Sequence, residues 1–330
     1  MTHSFKNKTI RWGIIGCGDV TEVKSGPAFQ KIPHSQLMAV MRRDGQKARD
    51  YAQRHGVPTW YDNAQALLHD PTVDAVYIAT PPDSHFEFTL QVAAAGKPVY
   101  VEKPMALNFA QCQQMVEACE AAQVPLFVAY YRRCLPSFLK VKELIESGAI
   151  GDVRFVNVRL YHPPQPNLHP AILPWRLQPK IAGGGLFYDL ASHQLDFLDY
   201  LLGPIRFASG QATNQAGLYP AEDLVMAQFH FGNGVLGTGT WCFTVDQTQF
   251  KDETEIIGSK GRITFPSFAL TPVVLETPAG RQEFLLPPPA HVQQPFIQTI
   301  VNELRGESTC PSTGRTAMRT AWVMDQIMGR

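Results

Sequence analysis

Short apolar runs recur through the first 130 residues at a spacing that predicts strands alternating with helices. Ile10 to Ile15, Gln36 to Met41, Val57 to Trp60, Val73 to Ala79, Val99 to Val101 and Pro125 to Ala129 are all β-prone. Most are apolar nearly throughout, the signature of strands buried on both faces of a parallel sheet. Helical stretches running to His55, from Asn63 to His69, from Asp83 or Ser84 to Gly96, and past Asn108 and Gln111 join them into βαβ units. Beyond residue 130 alternating strands dominate from Val153 to Leu286. The clearest hairpin there is Val225–Phe231 and Val235–Phe243 around the Asn233-Gly234 turn. Gln293 to Met328 reads as two helices separated by Gly306 and Pro311.

The first strand runs straight into Gly16-Cys17-Gly18-Asp19-Val20-Thr21. Gly16 and Gly18 match the first two glycines of the dinucleotide fingerprint, which permit a tight turn and close approach to a pyrophosphate; Asp19 and Val20 open the helix beside it. Thr21 stands where the fingerprint has Gly or Ala, so the motif alone reads equally as a simple strand-to-helix turn. Arg42 and Arg43 end the second strand, where arginines pair with the extra phosphate of NADP; Asp44 leaves NAD open. The same arginines also read as solvated loop charges. The loop Thr80-Pro81-Pro82-Asp83-Ser84-His85 follows the fourth strand at the edge where α/β sheets bind ligands. Thr80, Pro81 and His85 are cofactor candidates, although His85 also reads as an ordinary residue of a helix's first turn.

Val99-Tyr100-Val101 ends in Glu102-Lys103-Pro104. Pro104 stops the ladder and leaves Lys103 at the carboxyl end of a central strand. Successive residues point to opposite faces, so Glu102 is set away from Lys103, toward the sheet or the cofactor. Lysine ordinarily titrates near ~10.4, but desolvation and a positive nicotinamide ring bring an ammonium into the range of proton exchange, where histidine already lies.

Composition narrows the partners. A length of 330 residues suggests two domains, here 1–129 for dinucleotide binding and 130–330 for an α+β substrate domain. With 29 basic and 29 acidic side chains, no net field favours nucleic acid or an anionic membrane, and a small-molecule ligand fits better. Pro and Gly interrupt every apolar run before membrane-spanning length, and the polar start Met1-Thr2-His3-Ser4 lacks a secretory core, so a cytoplasmic location is expected. The six cysteines are scattered without a Cys-x-x-Cys pair and read as free, mostly buried thiols.

Further candidates lie in the second half. Tyr130-Tyr131-Arg132-Arg133 breaks the apolar pattern at the sheet edge, offering Tyr131 and Arg133 to substrate or to a domain junction. Pro163, Pro164, Pro166, Pro170 and Pro174 mark a long loop ending at Trp175-Arg176, and long loops are often functional. Gly183-Gly184-Gly185 then opens an amphipathic helix in which Asp189 and His193, four apart, share a face. A local structural pair is the alternative; no metal is expected, because no further ligand stands at characteristic spacing.

The ordered set of Gly-x-Gly, Ala79-Thr80-Pro81-Pro82 with His85, Glu102-Lys103-Pro104, Tyr131-Arg132-Arg133, Trp175-Arg176, the glycine-led Asp189 and His193, and Glu255 to Gly261 resembles the glucose-fructose oxidoreductase and inositol dehydrogenase (Gfo/Idh/MocA) family. The resemblance implies a Rossmann domain followed by an open antiparallel sheet used for homodimer or homotetramer contacts. It implies Lys103 as catalytic lysine, often before a cis proline, His193 as catalytic histidine and Asp189 as its substrate-binding partner. Hydride would pass between a nicotinamide and a sugar, polyol, cyclitol or dihydrodiol. The arginine pair resembles the NADP-preferring anhydrofructose reductases and dihydrodiol dehydrogenases. Glycoside cleavage through a transient keto sugar and non-catalytic NADP sensing are the competing expectations.

Overall fold

Strand order, more than strand content, decides where a ligand can sit in an α/β protein. The computed structural model describes residues 5–169 and 172–330, so Pro170 of the proline-rich loop and the first four residues lie outside the described residues. The chain divides into two units. The first comprises Met1–Ala106, Ala110–Tyr131 and Pro289–Met318; the second comprises Leu107–Phe109, Arg132–Pro288 and Arg319–Arg330.

In the first unit Ile10–Ile15 (β1), Ser35–Met41 (β2), Thr59–Tyr61 (β3), Ala75–Ile78 (β4), Val99–Val101 (β5) and Leu126–Val128 (β6) form one parallel sheet, in the order β3-β2-β1-β4-β5-β6. Asp19–Val23 (α1), Gly45–His55 (α2), Ala64–His69 (α3), His85–Ala94 (α4) and Phe109–Ala121 (α5) connect the strands. The order reverses between β1 and β4, and such a switch point opens a crevice beyond the strands' carboxyl ends. β4 and β5 are buried at every position, as their unbroken apolar sequence requires.

The second unit holds Pro136–Glu146 (α6), Val153–Tyr161 (β7), Pro179–Ala182 (α7), Ser192–Leu202 (α8), Ile205–Thr213 (β8), Leu224–Phe231 (β9), Leu236–Cys242 (β10), Lys251–Gly258 (β11), Arg262–Phe265 (β12), Val273–Thr277 (β13) and Gly280–Phe284 (β14). The eight strands form one open sheet in the order β14-β13-β12-β11-β7-β10-β9-β8. Every pair is antiparallel except β7 with β10. The β9–β10 turn lies where Asn233-Gly234 predicts it, with Gly234 at φ 89°. Gln294–Leu304 (α9) belongs to the first unit, and Gly314–Met328 (α10) is counted partly with each.

One element departs from its sequence pattern. The helix after the glycine cluster is not amphipathic: α8 is buried from Ser192 to Asp199, polar residues included. Each of three polar residues finds a partner in its own unit. Trp241 Nε1 donates to Gln194 Oε1 at 2.7 Å, Arg319 Nε donates to Asp199 Oδ2 at 2.9 Å, and Arg133 grips Asp196 through Nε at 2.8 Å and Nη2 at 2.6 Å. Arg133 is 1% exposed and Asp196 is equally hidden. The Arg133 guanidinium also lies 4.9 Å from the centre of the Tyr200 ring. Burial pushes the Asp196 carboxyl above its ordinary range, and Arg133 opposes that shift.

A buried pair broken on one side leaves an uncompensated charge, whereas joint replacement by apolar residues does not. Arg133→Met should therefore lower stability in urea by about 3–5 kcal/mol, and Arg133→Met with Asp196→Leu should recover most of that loss. Equal losses in the single and double variants would show that the pair does not carry the packing.

Candidate active site

The turn after β1 is built around a missing side chain. Gly16 sits at φ +91°, and a Cβ there would lie 2.5 Å from Thr80 Cγ2 and 2.9 Å from Thr80 N. Its N–H and that of Cys17 both donate to the Met41 carbonyl, at 2.8 and 3.2 Å, tying the turn to the end of β2. Gly18 faces open space: its Cβ would meet nothing closer than Gly16 O at 3.9 Å. Thr21 explains the departure from the fingerprint, because its hydroxyl donates to Gly18 O at 2.8 Å and accepts from Gly18 N at 3.0 Å. The turn closes on its own side chain. Asp19 is exposed and Val20 half-buried at the start of α1. A turn packed so closely on Thr80 that it admits no side chain at Gly16, with room over Gly18, fits the pyrophosphate of a dinucleotide.

At the end of β2, Arg42 is half-buried and its Nη1 donates to Cys17 O at 3.2 Å, which lays the guanidinium against the glycine turn. Arg43 is exposed. Asp44 caps α2, accepting from Gln46 N and Lys47 N at 3.1 and 3.2 Å. Those bonds hold its carboxyl below the ordinary range.

The loop after β4 joins the same edge. The Ser84 hydroxyl lies 2.8 Å from Thr80 Oγ1, and Pro81 precedes a single helical turn into α4. His85 is fully buried, with Nδ1 2.9 Å from Pro104 O and Nε2 2.7 Å from Thr80 O, so its ring spans the Thr80 loop and the Lys103-Pro104 turn. The peptide bond between Lys103 and Pro104 is cis. Lys103 is half-buried, while Glu102 is turned inward at 6% exposure. Tyr77 Oη and Gln293 Nε2 donate to Glu102 Oε1 at 2.5 and 2.6 Å, and Lys103 N donates to Oε2 at 3.1 Å.

Within the second unit, the glycine cluster is shaped by residues far away in sequence. Gly183 has φ +84° and lies against the Leu107 backbone, where a Cβ would be 2.9 Å from Leu107 O. Gly185 N donates to Glu222 Oε1 at 2.8 Å and Arg330 Nη1 donates to Gly183 O at 2.7 Å. Burial pushes the Glu222 carboxyl up. From Phe187 to Ala191 the helix is a π turn, a widened form that recurs at functional sites, and Asp189 stands in it. Arg176 Nε donates to Asp189 Oδ2 at 3.1 Å, and the Arg176 guanidinium lies 4.3 Å from the centre of the Trp175 ring. His193 is 3% exposed, with the Phe268 ring 6.1 Å away. Phe268 sits on a turn whose N–H groups at 267, 268 and 269 all donate to Asp252.

Gly16, Gly18, Arg42, Thr80, Pro81, His85, Glu102 and Lys103 thus gather at one edge of the first unit's sheet. Trp175, Arg176, Asp189 and His193 gather in the second unit. Arg133 is engaged with Asp196 and Tyr200 in the interior, and Tyr131, 6% exposed, starts the short helical turn after β6. Sequence reasoning passed over Gln293, Glu222, Asp252, Phe268 and Arg330, none of which stands in a motif. Among the described residues, no cluster of three or more His, Cys, Asp or Glu could hold a metal, and no helix is long and apolar enough to cross a membrane.

The oxidoreductase family model with an NAD-binding Rossmann fold matches residues 10–130, and that family's C-terminal domain matches residues 138–264. An oxidoreductase of Formosa agariphila is 39% identical over 97% of this chain and 98% of its own. Myo-inositol 2-dehydrogenase of Thermotoga maritima is 28% identical over 82% and 79%. The WlbA dehydrogenase of Bordetella pertussis, solved with NADH and UDP-GlcNAcA, superimposes with a TM-score of 0.84 at 25% identity over 98% and 96% of the chains. These matches define an NAD(P)-dependent oxidoreductase. More narrowly, the chain belongs to the Gfo/Idh/MocA family.

Burial lowers the His85 imidazole from its ordinary 6.5, against the opposing effect of the two carbonyls and Glu102. The unfolded chain therefore binds more protons than the folded one below about 6.5, and His85 costs stability as pH falls. The melting temperature of the parent minus that of His85→Gln should be flat above about pH 7 and shrink on acidification. A difference that grew instead would mean that the carbonyls hold an imidazolium.

Proposed function

We propose that this chain moves hydride between the nicotinamide of NADP and a hydroxyl or carbonyl carbon of a sugar, polyol, cyclitol or dihydrodiol. The bound cofactor supplies or accepts the hydride. Lys103 and His193 exchange the proton at the substrate oxygen, and Asp189, oriented by Arg176, holds a neighbouring hydroxyl. Gly16, Gly18, Asp19 and Val20 take the pyrophosphate; Thr80, Pro81, His85 and Glu102 shape the nicotinamide side; Tyr131, Trp175 and Arg176 bound the substrate. The observation that carries this reading is Lys103 leaving β5 at the sheet edge that also presents the Gly16 turn and the Thr80 loop. NADP is favoured over NAD because Arg42 lies on the glycine turn while Asp44, the carboxylate that would suit a ribose, is occupied as a helix cap.

The enzyme is read as a cytoplasmic homodimer or homotetramer. Free cysteines suit a reducing compartment. The outer face of the second unit's sheet leaves Phe155, Phe207, Met226 and Leu236 exposed for a second copy.

The deciding experiment is turnover with NADPH or NADP⁺ across a panel of sugars, cyclitols and dihydrodiols, myo-inositol included. Lys103→Met and His193→Asn should each reduce kcat by roughly a hundredfold or more while leaving the cofactor Kd near that of the parent. Unchanged kcat in either variant would remove that residue from the chemistry. NADPH should bind about tenfold more tightly than NADH, a difference of about 1.4 kcal/mol, and Arg42→Ala should erase the preference. Equal affinities in the parent would return the choice to NAD.

A further inference from the structure

Gln293 reaches the first unit from the far side of the sequence and is wholly buried. Its main chain is anchored, with N–H donating to Lys24 O at 3.2 Å and His291 Nδ1 lying 2.6 Å from Val23 O. Both ends of its amide are used. Oε1 accepts from Tyr100 Oη at 2.6 Å, and Nε2 donates to Glu102 Oε1 at 2.6 Å. A tyrosine proton on one side and an acceptor on the other leave the amide a single orientation. Tyr77 Oη donates to the same carboxylate oxygen at 2.5 Å, and the Tyr77 and Tyr100 rings are stacked at 4.5 Å. The other carboxylate oxygen accepts from the main-chain N–H of Lys103. All three of these partners donate, which is what a carboxylate requires of its surroundings.

Apolar side chains at both positions 293 and 102 would fill the site without the cost of burying an amide and a carboxylate. The polar choice gains meaning from its neighbour, because the carboxylate that Gln293 and Tyr77 hold is the one that fixes the backbone where Lys103 begins. We propose that Gln293 and Tyr77 are positioning residues for Lys103: by immobilising Glu102 they set the direction in which the lysine leaves the end of β5. This inference rests on the reading of Lys103 as a proton-transfer group. A supporting shell of this kind acts on kcat, since small displacements of a reacting group cost rate far more than they cost binding.

The test compares Gln293→Met and Tyr77→Phe with Lys103→Met in the full chain, using NADPH titration for cofactor affinity and steady-state turnover on the panel substrate turned over best by the parent. Both positioning variants should lose kcat by roughly tenfold or more, with cofactor Kd and substrate KM within about twofold of the parent. Because they act through one carboxylate, the double variant should lose less than the product of the two single losses. If Gln293→Met does not fold, Tyr77→Phe, which deletes one oxygen, decides alone. Loss of turnover in Lys103→Met with parental kcat in the positioning variants would overturn this inference only. Parental turnover in Lys103→Met, or no turnover by the parent on the panel, would overturn the functional reading with it. A change confined to NADPH affinity would assign the cluster to cofactor binding and also overturn it.

Discussion

A carboxylate inside a parallel sheet must be given donors or it will not stay there. Glu102 meets that condition with two side chains and one backbone amide, and the donors come from β4, from the segment before α9 and from its own successor. Two separate stretches of chain are thereby held to the end of β5. The Thr80 loop is joined to the same place by His85, and the glycine turn is pressed against Thr80. The ligand edge of the first unit is a set of backbone segments fastened to one another by a few buried polar atoms.

The second unit solves the equivalent problem on a helix. α8 carries polar residues throughout its buried stretch from Ser192 to Asp199, and burial there favours polar side chains that find partners. The answers come from β10 through Trp241, from the start of the unit through Arg133 and from α10 through Arg319. Asp189 and His193 project from the widened turn and first turn of a rod that is clamped along its length, and Arg176 fixes Asp189 from the loop side.

Much of this was legible in the sequence. Near-continuous apolar runs gave away the parallel sheet, Asn233-Gly234 marked the hairpin of the second sheet, and Gly16 and Gly18 marked the turn where backbone must approach backbone. Lys103-Pro104 was visible because a proline after an apolar strand ends the ladder. The rest depends on contacts that periodicity does not encode. Gln293 is one amide in a helical pattern and gives no sign that its partner is 191 residues away. Thr21 looked like a defect in the fingerprint until its hydroxyl closed the turn on Gly18. Nothing local to Asp196 and Asp199 shows that they are buried, because the arginines that pair with them lie 63 and 120 residues distant.

The return of residues 289–318 to the first unit also has a consequence in time. Chains emerge from the ribosome at about 5–20 residues per second, so the strand ending in Glu102 is made roughly ten seconds or more before Gln293 exists to meet it. The glycine turn and most of the parallel sheet can assemble while synthesis continues. The site edge cannot be locked until Gln293 has been translated, so the nucleotide-binding unit is completed only after residues 132–288 of the second unit have been made.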